Sequence, residues 1–508
     1  MSISMMLSYI TVEHVLLALF GSALGIVFGA VPGLSSVTAV TILLPLTFSM
    51  APATGIILLT SIWIGGCSGG LISAILMGIP GTGASVATCF DGYPMSQKGQ
   101  SVKALGAGIV SSFIGTTGSL IIAALLCPFI AKVAVMLGPW ELFALCFCAI
   151  TLVVTISKGD MWMGLISAFV GMLLASFGFD PLTGTSRFNF GIRAMKGGIE
   201  MTAFCIGVFA MANIMTNFAK GETKRPEVTL KGVKGFGISL KELAENAKLI
   251  IKSFGIGLWI GFLPGMGAGL SNVVAYASAK SSSKHPEEFG KGCLEGIIAP
   301  EVANNASIGG ALIPMITLGI PGDTVTSLLL GGLMIHGIEA GPLLLTNSGD
   351  YVSALFLGAI MGAFLVLFLE FFGMRTFPFM LRLPFKYLFS TIAMLCFVGV
   401  YSAKRSMTVL WILVVISGLG VLFRYLKFSL SPMILGFILG PMLEKYLRRG
   451  LTYADNGWTL FFSRPISCLL LIITFGSLLW PFIRNRLEER KAAAAAVNPG
   501  MDVQDEDN

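Results

Sequence analysis

Apolar residues in this chain run in long unbroken blocks rather than alternating with polar ones. No Asp, Glu, Lys or Arg occurs between Glu13 and Asp91, and about 20 apolar residues already cross a bilayer as a helix. Blocks of spanning length or longer cover roughly 15–48, 53–90, 104–131, 140–157, 161–179 and 197–217. A second series covers 253–279, 292–320, 322–338, 351–374, 384–403, 407–423, 430–443 and 460–482. The pattern predicts an all-α polytopic membrane protein.

Helix breakers punctuate the blocks in a repeated order. Gly25-x-x-x-Gly29-x-x-Pro32-Gly33 recurs as Gly257-x-x-x-Gly261-x-x-Pro264-Gly265. Each copy is followed by a second signature, Gly78-Ile79-Pro80-Gly81 and Gly319-Ile320-Pro321-Gly322. Pro removes a backbone donor and Gly permits unusual dihedrals, so each pair stops a helix or turns it back. Inside a bilayer such breaks persist only where protein buries them or a cavity solvates them. Two halves each carrying a pair of interrupted spans point to a secondary transporter.

The longest hydrophilic stretch between spans divides the halves. It carries Lys220, Lys224, Arg225, Lys231, Lys234, Lys241 and Lys248, which places it in the cytoplasm. The chain thus divides into a first membrane repeat (1–217), a cytoplasmic linker (218–250), a second membrane repeat (251–485) and a disordered cytoplasmic tail (486–508). Within the linker, Leu240 to Lys252 reads as a short amphipathic helix. Loop charges predict that the repeats are inverted. The loop from Tyr93 carries Lys98 and Lys103, while its counterpart, His336 to Tyr351, has Glu339 and Asp350 but no Lys or Arg. Conversely, 44–55 is uncharged while 280–291 holds Lys280, Lys284 and Lys291. Equivalent loops therefore prefer opposite sides of the membrane.

Composition narrows the function classes. With 55% hydrophobic and 12% charged residues, the 508-residue chain departs from soluble proteins, where about 25% is charged. The net charge of +7 follows from basic loops and calls for no nucleic acid. Nine cysteines without a C-x-x-C pair read as reduced packing residues, Cys146 and Cys148 being too close for metal spacing. The first apolar block lacks the flanks of a cleaved signal peptide and is expected to stay. No G-x-x-x-x-G-K-[ST] occurs, so the chain carries no P-loop of its own. Gly66-Cys67-Ser68-Gly69 matches the G-x-S-G of intramembrane serine proteases, but His14, His285 and His336 all lie near span ends or in loops. No catalytic residue, resident metal or other cofactor is expected.

Small and hydroxylated residues follow every break. They are Gly33, Ser35 and Ser36; Gly81, Thr82, Gly83 and Ser85; Gly265, Gly267, Ser271 and Asn272; and Gly322, Asp323, Thr324 and Thr326. A helix restarting there aims free N–H groups at the break and favours an anion. These residues form the expected substrate site. Gly21, Gly25, Gly29, Gly257 and Gly261 read instead as close helix packing. A further string, Ala299-Pro300-Glu301-Val-Ala-Asn304-Asn305, sets a carboxylate and two amides in an apolar block. Intramembrane ionisable groups are functional candidates, so Glu301, Asn304 and Asn305 are candidates for a coupling ion, either sodium or a proton. The structural alternative is a helix opening at Pro300 with Glu301 in its first turn. Asp323 aligns with neutral Thr82, so a charge role there belongs to one half.

The Pro-Gly repeats, Ile79-Pro80-Gly81-Thr82-Gly83-Ala84-Ser85, Phe90-Asp91-Gly92-Tyr93-Pro94 and Glu301-Val-Ala-Asn-Asn-Ala306 together resemble the TctA family. These are the large membrane subunits of tripartite tricarboxylate transporters, and the likeness covers about residues 15–485. The resemblance implies a bacterial inner-membrane permease of about 12 transmembrane helices. It implies ion-driven import of tricarboxylates (citrate-like) or related carboxylates by an elevator-type movement. The implied partners are a small TctB-like membrane subunit of about four spans and a periplasmic TctC-like substrate-binding protein. A gated anion channel or pore-forming subunit is the competing expectation.

Overall fold

The computed structural model describes residues 3–156, 161–180, 182–220, 237–380, 385–453 and 457–479. It is helical throughout apart from turns and one two-residue strand pair, Gly178–Phe179 with Ser186–Arg187. Most of the linker (221–236) and the tail beyond 479 lie outside the described residues.

The first half is built from α1 (Val12–Ala30), α2 (Ser36–Leu43), α3 (Pro52–Met77), α4 (Thr88–Met95) and α5 (Ser101–Ala134). Glycines set the packing of α1 on α3: Gly21 lies on Leu58, Gly25 on Ile62 and Gly29 on Gly66. Without side chains the backbones approach closely, and the rising register makes these consecutive helices parallel. The chain between them must therefore return. It does so through α2 and the 3-10 turn Leu44–Ser49, which bring Ser36 against Gly66 and Thr47 against Gly55. The first Pro-Gly is thus the tip of a hairpin.

The second Pro-Gly is placed by the first. α3 ends at Gly78, whose φ of 68° is a left-handed cap open to glycine. The chain then folds back until Gly81 rests on the Gly29 carbonyl, and a methyl group there would come within 2.7 Å of Ser73 Oγ. The two breaks of the half are consequently side by side.

The second half repeats this order in α6 (Ala247–Phe262), α7 (Gly267–Ser282), α8 (Glu295–Leu318), α9 (Thr324–Ile335) and α10 (Gly349–Gly373). Gly257 lies on Ala303 and Gly261 on Ser307, so α6 and α8 are parallel. α7 returns, with Asn272 reaching the Pro300 carbonyl and Ser283 reaching Glu295. Gly319 caps α8 at φ 71°, and Gly322 seats on Gly261 and Ala311.

The halves interlock through the long helices α5 and α10. α5 packs on α8, with Gly115 on Val302 and Gly309 on Ser119. α10 packs on α3, with Gly358 on Ile57 and Gly362 on Ser61. Both pairs are parallel, whereas α5 runs antiparallel to α3, Gly108 meeting Leu71 while Ser112 meets Ser68. The central helices α3 and α8 therefore run in opposite directions. Loop positions agree: Lys98 donates to the Lys291 carbonyl at 2.6 Å and Lys103 pairs with Glu242 at 2.5 Å. The basic loops thus share one end of the molecule. At the other end Gly55 lies against His336.

Several expected segments change. Val12–Ala30, Pro52–Met77, Thr88–Ala134, Gly349–Gly373 and Met407–Tyr425 are each long and apolar enough to cross a bilayer. A sixth, Gly457–Ser463 with Pro465–Leu479, bends by 78°. Among the shorter apolar helices, Ser36–Ser49 and Thr324–Ile335 each follow a Pro-Gly break. The amphipathic helix expected over Leu240 to Lys252 stops at Asn246, and the residues from Ala247 onward already belong to α6. The block 430–443 continues as a helix, Leu430–Thr452. Its polar extension carries Glu444 and Arg448, which join Asp180 and Arg187 in a four-membered ion network. Finally, α8 begins at Glu295 rather than Pro300, so Glu301 lies inside a buried helix and does not open one.

Candidate functional site

The two first-half breaks meet at a cavity of about 340 Å³, within the range of small-molecule sites. Gly33, Leu34, Ser35, Val37 and Thr38 come from the first tip, and Pro80, Gly81, Thr82 and Gly83 from the second. Thr324 enters from the start of α9. Phe209 and Asn213 come from the helical stretch over 201–220, and Arg424 from the end of Met407–Tyr425.

Each lining tip is organised by caps. Ser35 accepts from the Thr38 N–H at the start of α2, and Asp323 accepts from the Thr326 N–H at 2.7 Å at the start of α9. Thr82 and Ser85 form a reciprocal capping box. α2 and α9 thus begin at the cavity wall, where N-terminal N–H groups and helix dipoles favour negative charge.

Arg424 supplies a full positive charge to the same wall. Its Nη1 donates to Asn213 Oδ1 at 2.9 Å, and Asn213 Nδ2 donates to the Gly33 carbonyl at 2.5 Å. The guanidinium is thereby fastened to the hairpin tip, while its buried Nε has no protein acceptor. A planar fork of N–H donors suits a carboxylate better than a point charge does. Arg424 carries no signal in the sequence, because it stands one residue beyond the apolar block 407–423, where a cation ordinarily marks a membrane edge. Its helix partner Asn213 is 211 residues away in the chain, so no local motif announces the pair.

The other expected substrate residues lie elsewhere. Ser36 packs on Gly66, and Ser85 Oγ donates to the Thr82 carbonyl at 3.1 Å. Gly265 lies on Val153 and Gly267 on Asp323. Ser271 donates to the Ala268 carbonyl at 2.9 Å. Fully buried Asn272 accepts from the Ala87 N–H at 2.7 Å and donates to Thr88 and the Pro300 carbonyl, each at 3.4 Å. Gly322 is wedged against Ala311, and Thr326 closes the Asp323 cap. Among the second-half tip residues only Thr324 lines this cavity.

The coupling-ion candidates are all fully buried in α8. Glu301 accepts from Thr88 at 2.5 Å, and Asn305 Nδ2 turns back to the Glu301 carbonyl at 3.0 Å. Asn305 Oδ1 accepts from Thr116 at 3.1 Å. The Asn304 amide makes no hydrogen bond of good geometry. The contacts with Thr88 and Thr116 cross between halves, as do those of Asp91. Its carboxylate accepts from the backbone of Gly290, Gly292 and Cys293 and from the Tyr276 hydroxyl. Ser68 donates to Glu370 at 2.8 Å rather than facing an imidazole. His14 is engaged with Tyr9 and Thr54, and His336 lies by Gly55.

Comparison with known proteins gives a consistent set of likenesses. Residues 15–435 match the family described as "Tripartite tricarboxylate transporter TctA family". A protein of Agrobacterium vitis, described as "Uncharacterized 52.8 kDa protein in TAR-I ttuC' 3'region", is 33% identical over 487 residues. That alignment covers 94% of this chain and 96% of the relative. A second protein of that organism, "Uncharacterized protein in TAR-II ttuC' 3'region", is 34% identical over 240 residues, 46% of this chain and 98% of its own. No solved structure matches.

Proposed function

Because the chain belongs to the tripartite tricarboxylate transporter TctA family, we propose that it is the large transmembrane subunit of a binding-protein-dependent secondary transporter. It imports a tricarboxylate or related carboxylate across the bacterial inner membrane on a sodium or proton gradient. A TctB-like small membrane subunit and a TctC-like periplasmic binding protein complete the system. The observation that carries this reading is the cavity at Gly33 and Gly81, where two helix N-termini and Arg424 converge. Arg424 and the start of α2 offer full and partial positive charge to an anion, while the start of α9 is already capped by Asp323, and this suits a carboxylate ligand.

The movement we infer is of the elevator type, with two inverted repeats whose hairpin tips carry the ligand. Opposed central helices and segregated basic loops support the inversion. If each broken pair counts as part of a crossing, about 12 transmembrane helices result. Glu301, Asn304 and Asn305, at the contact between halves, are the proposed coupling-ion residues.

Uptake by proteoliposomes containing the three subunits, with radiolabelled citrate outside and an imposed sodium or pH gradient, tests the proposal. Arg424→Gln should lower initial uptake by about 100-fold, since removing one partner of a buried charged contact costs about 2–5 kcal/mol. Flux that ignores the gradient would instead mark a channel. Unchanged uptake in the Arg424 variant would remove the guanidinium from the site.

A further inference from the structure

We propose that Glu370, Ser68, Ser112 and Thr116 form a binding site for one sodium ion at the seam between the halves. Glu370 lies on α10, Ser68 on α3, and Ser112 and Thr116 one turn apart on α5. They line a cavity of about 10 Å³ whose remaining wall is apolar, with Ile64 and Phe113 among its residues. That space holds roughly one water-sized body.

Hydrogen-bond accounting defines what the space accepts. Ser68 Oγ donates to Glu370 Oε2 at 2.8 Å, and Ser112 Oγ donates to Ser68 Oγ at 3.1 Å. Thr116 Oγ1 donates to Asn305 Oδ1 at 3.1 Å. A hydroxyl has one proton, so all three are committed away from the cavity. Lone pairs remain on Ser112 and Thr116, and buried Glu370 Oε1 has no donor at all. Glu370 is 1% exposed. Among the described residues no Lys, Arg or His forms an ion pair with it.

A buried carboxylate without a cationic partner is costly, and a small dehydrated cation offsets that charge. All the offered donors are oxygens, the ligand type of hard cations. Sodium fills the space and draws on every free lone pair. A proton on Glu370 would neutralise the charge and donate to one hydroxyl lone pair, whereas sodium draws on those of Ser112 and Thr116 together with the carboxylate. The site gains a route to the proposed coupling residues through Thr116, which bonds Asn305. Its use in transport rests on the proposed transporter function, whereas its existence does not.

The test is binding of radioactive sodium to the purified full chain in nanodiscs, without gradient, partner subunits or carboxylate. The wild-type chain should bind sodium saturably, with potassium and choline failing to compete. Glu370→Gln, which keeps shape and removes charge, should weaken binding by about 100-fold, and Ser112→Ala by about tenfold. In sodium-free buffer Glu370→Gln should melt no lower than wild type, because no charge is then buried. Sodium should raise the wild-type melting temperature and leave that of the variant unchanged. Should Glu370→Gln fail to fold, the Ser112→Ala affinity alone decides. Equal sodium binding by wild type and variants overturns the proposal, as does stabilisation by acid but not by sodium. Lost uptake with intact sodium binding would refute transport and keep the site; the converse result would do the opposite.

Discussion

The tips of the two halves are built alike and used differently. In the first half, Gly33, Ser35 and Gly81 to Gly83 border a cavity, with Arg424 fixed to the tip through Asn213. In the second half, Thr324 borders the same cavity, while other tip residues are consumed by packing. Gly267 sits under Asp323, Gly322 is pressed on Ala311, and Asn272 ties α7 to Ala87, Thr88 and Pro300. Repetition supplies the backbone geometry twice. The guanidinium of Arg424 is supplied once, by Met407–Tyr425, beyond the α6–α10 unit that echoes α1–α5.

The largest contrast should come from filling the tips. A side chain at Gly322 would meet Ala311 Cα and the Gly261 carbonyl, both at 2.6 Å. Neither can yield, so Gly322→Leu should cost more than about 3 kcal/mol and leave little monodisperse protein after extraction. Gly83 has no atom within 4 Å of the added carbon and lines the cavity. Gly83→Trp should therefore insert and elute normally while uptake disappears. A well-folded Gly322→Leu protein, or undiminished uptake by Gly83→Trp, would erase the distinction between the tips.

A smaller contrast separates Asn272 from Ser35. Asn272→Ala strands the buried Ala87 N–H and removes two further contacts, a loss of about 2–3 kcal/mol. It should lower the melting temperature without changing the carboxylate affinity of the folded fraction. Ser35→Ala removes one cap, worth about 1 kcal/mol, but it also removes a cavity hydroxyl. Carboxylate affinity should fall in Ser35→Ala. Equal affinity losses in the two variants would show that the second-half tip also touches the ligand.

The asymmetry also explains how much of the molecule is legible in its chain. Helix breakers and apolar blocks are local, so the breaks at Pro32, Pro80, Pro264 and Pro321 can be read directly, and so can the hydroxyls behind them. Which tips face a cavity depends on pairings across 180 residues or more, such as Asn213 with Gly33 or Asn272 with Ala87. No periodicity records those. The choice between hairpin and unwound crossing is likewise hidden, because it rests on the register of Gly21, Gly25 and Gly29 against Leu58, Ile62 and Gly66. Glu370 is obscured for a plainer reason. It sits alone in an apolar block, and its donor Ser68 lies 302 residues earlier.

The smallest expected effect lies where the halves meet at their basic end. Lys103 of the first half pairs with Glu242, just before α6, at 2.5 Å. The Lys103 ammonium, helped by the Ser239 cap, pulls the Glu242 carboxyl down to about 2. An unfolded glutamate titrates near 4.3, so the pair's contribution is complete above that value and is lost as pH falls toward about 2. Both side chains are about one-third exposed, and solvent screening limits such a pair to roughly 0.5 kcal/mol. A double-mutant cycle of Lys103→Gln and Glu242→Gln, read by thermal melts at pH 7, should return a coupling of that size. The coupling should shrink in high salt, and the acid sensitivity between about pH 4 and 3 should flatten in Glu242→Gln. A coupling of several kcal/mol would mean that the basic loops clamp the halves rather than merely touch.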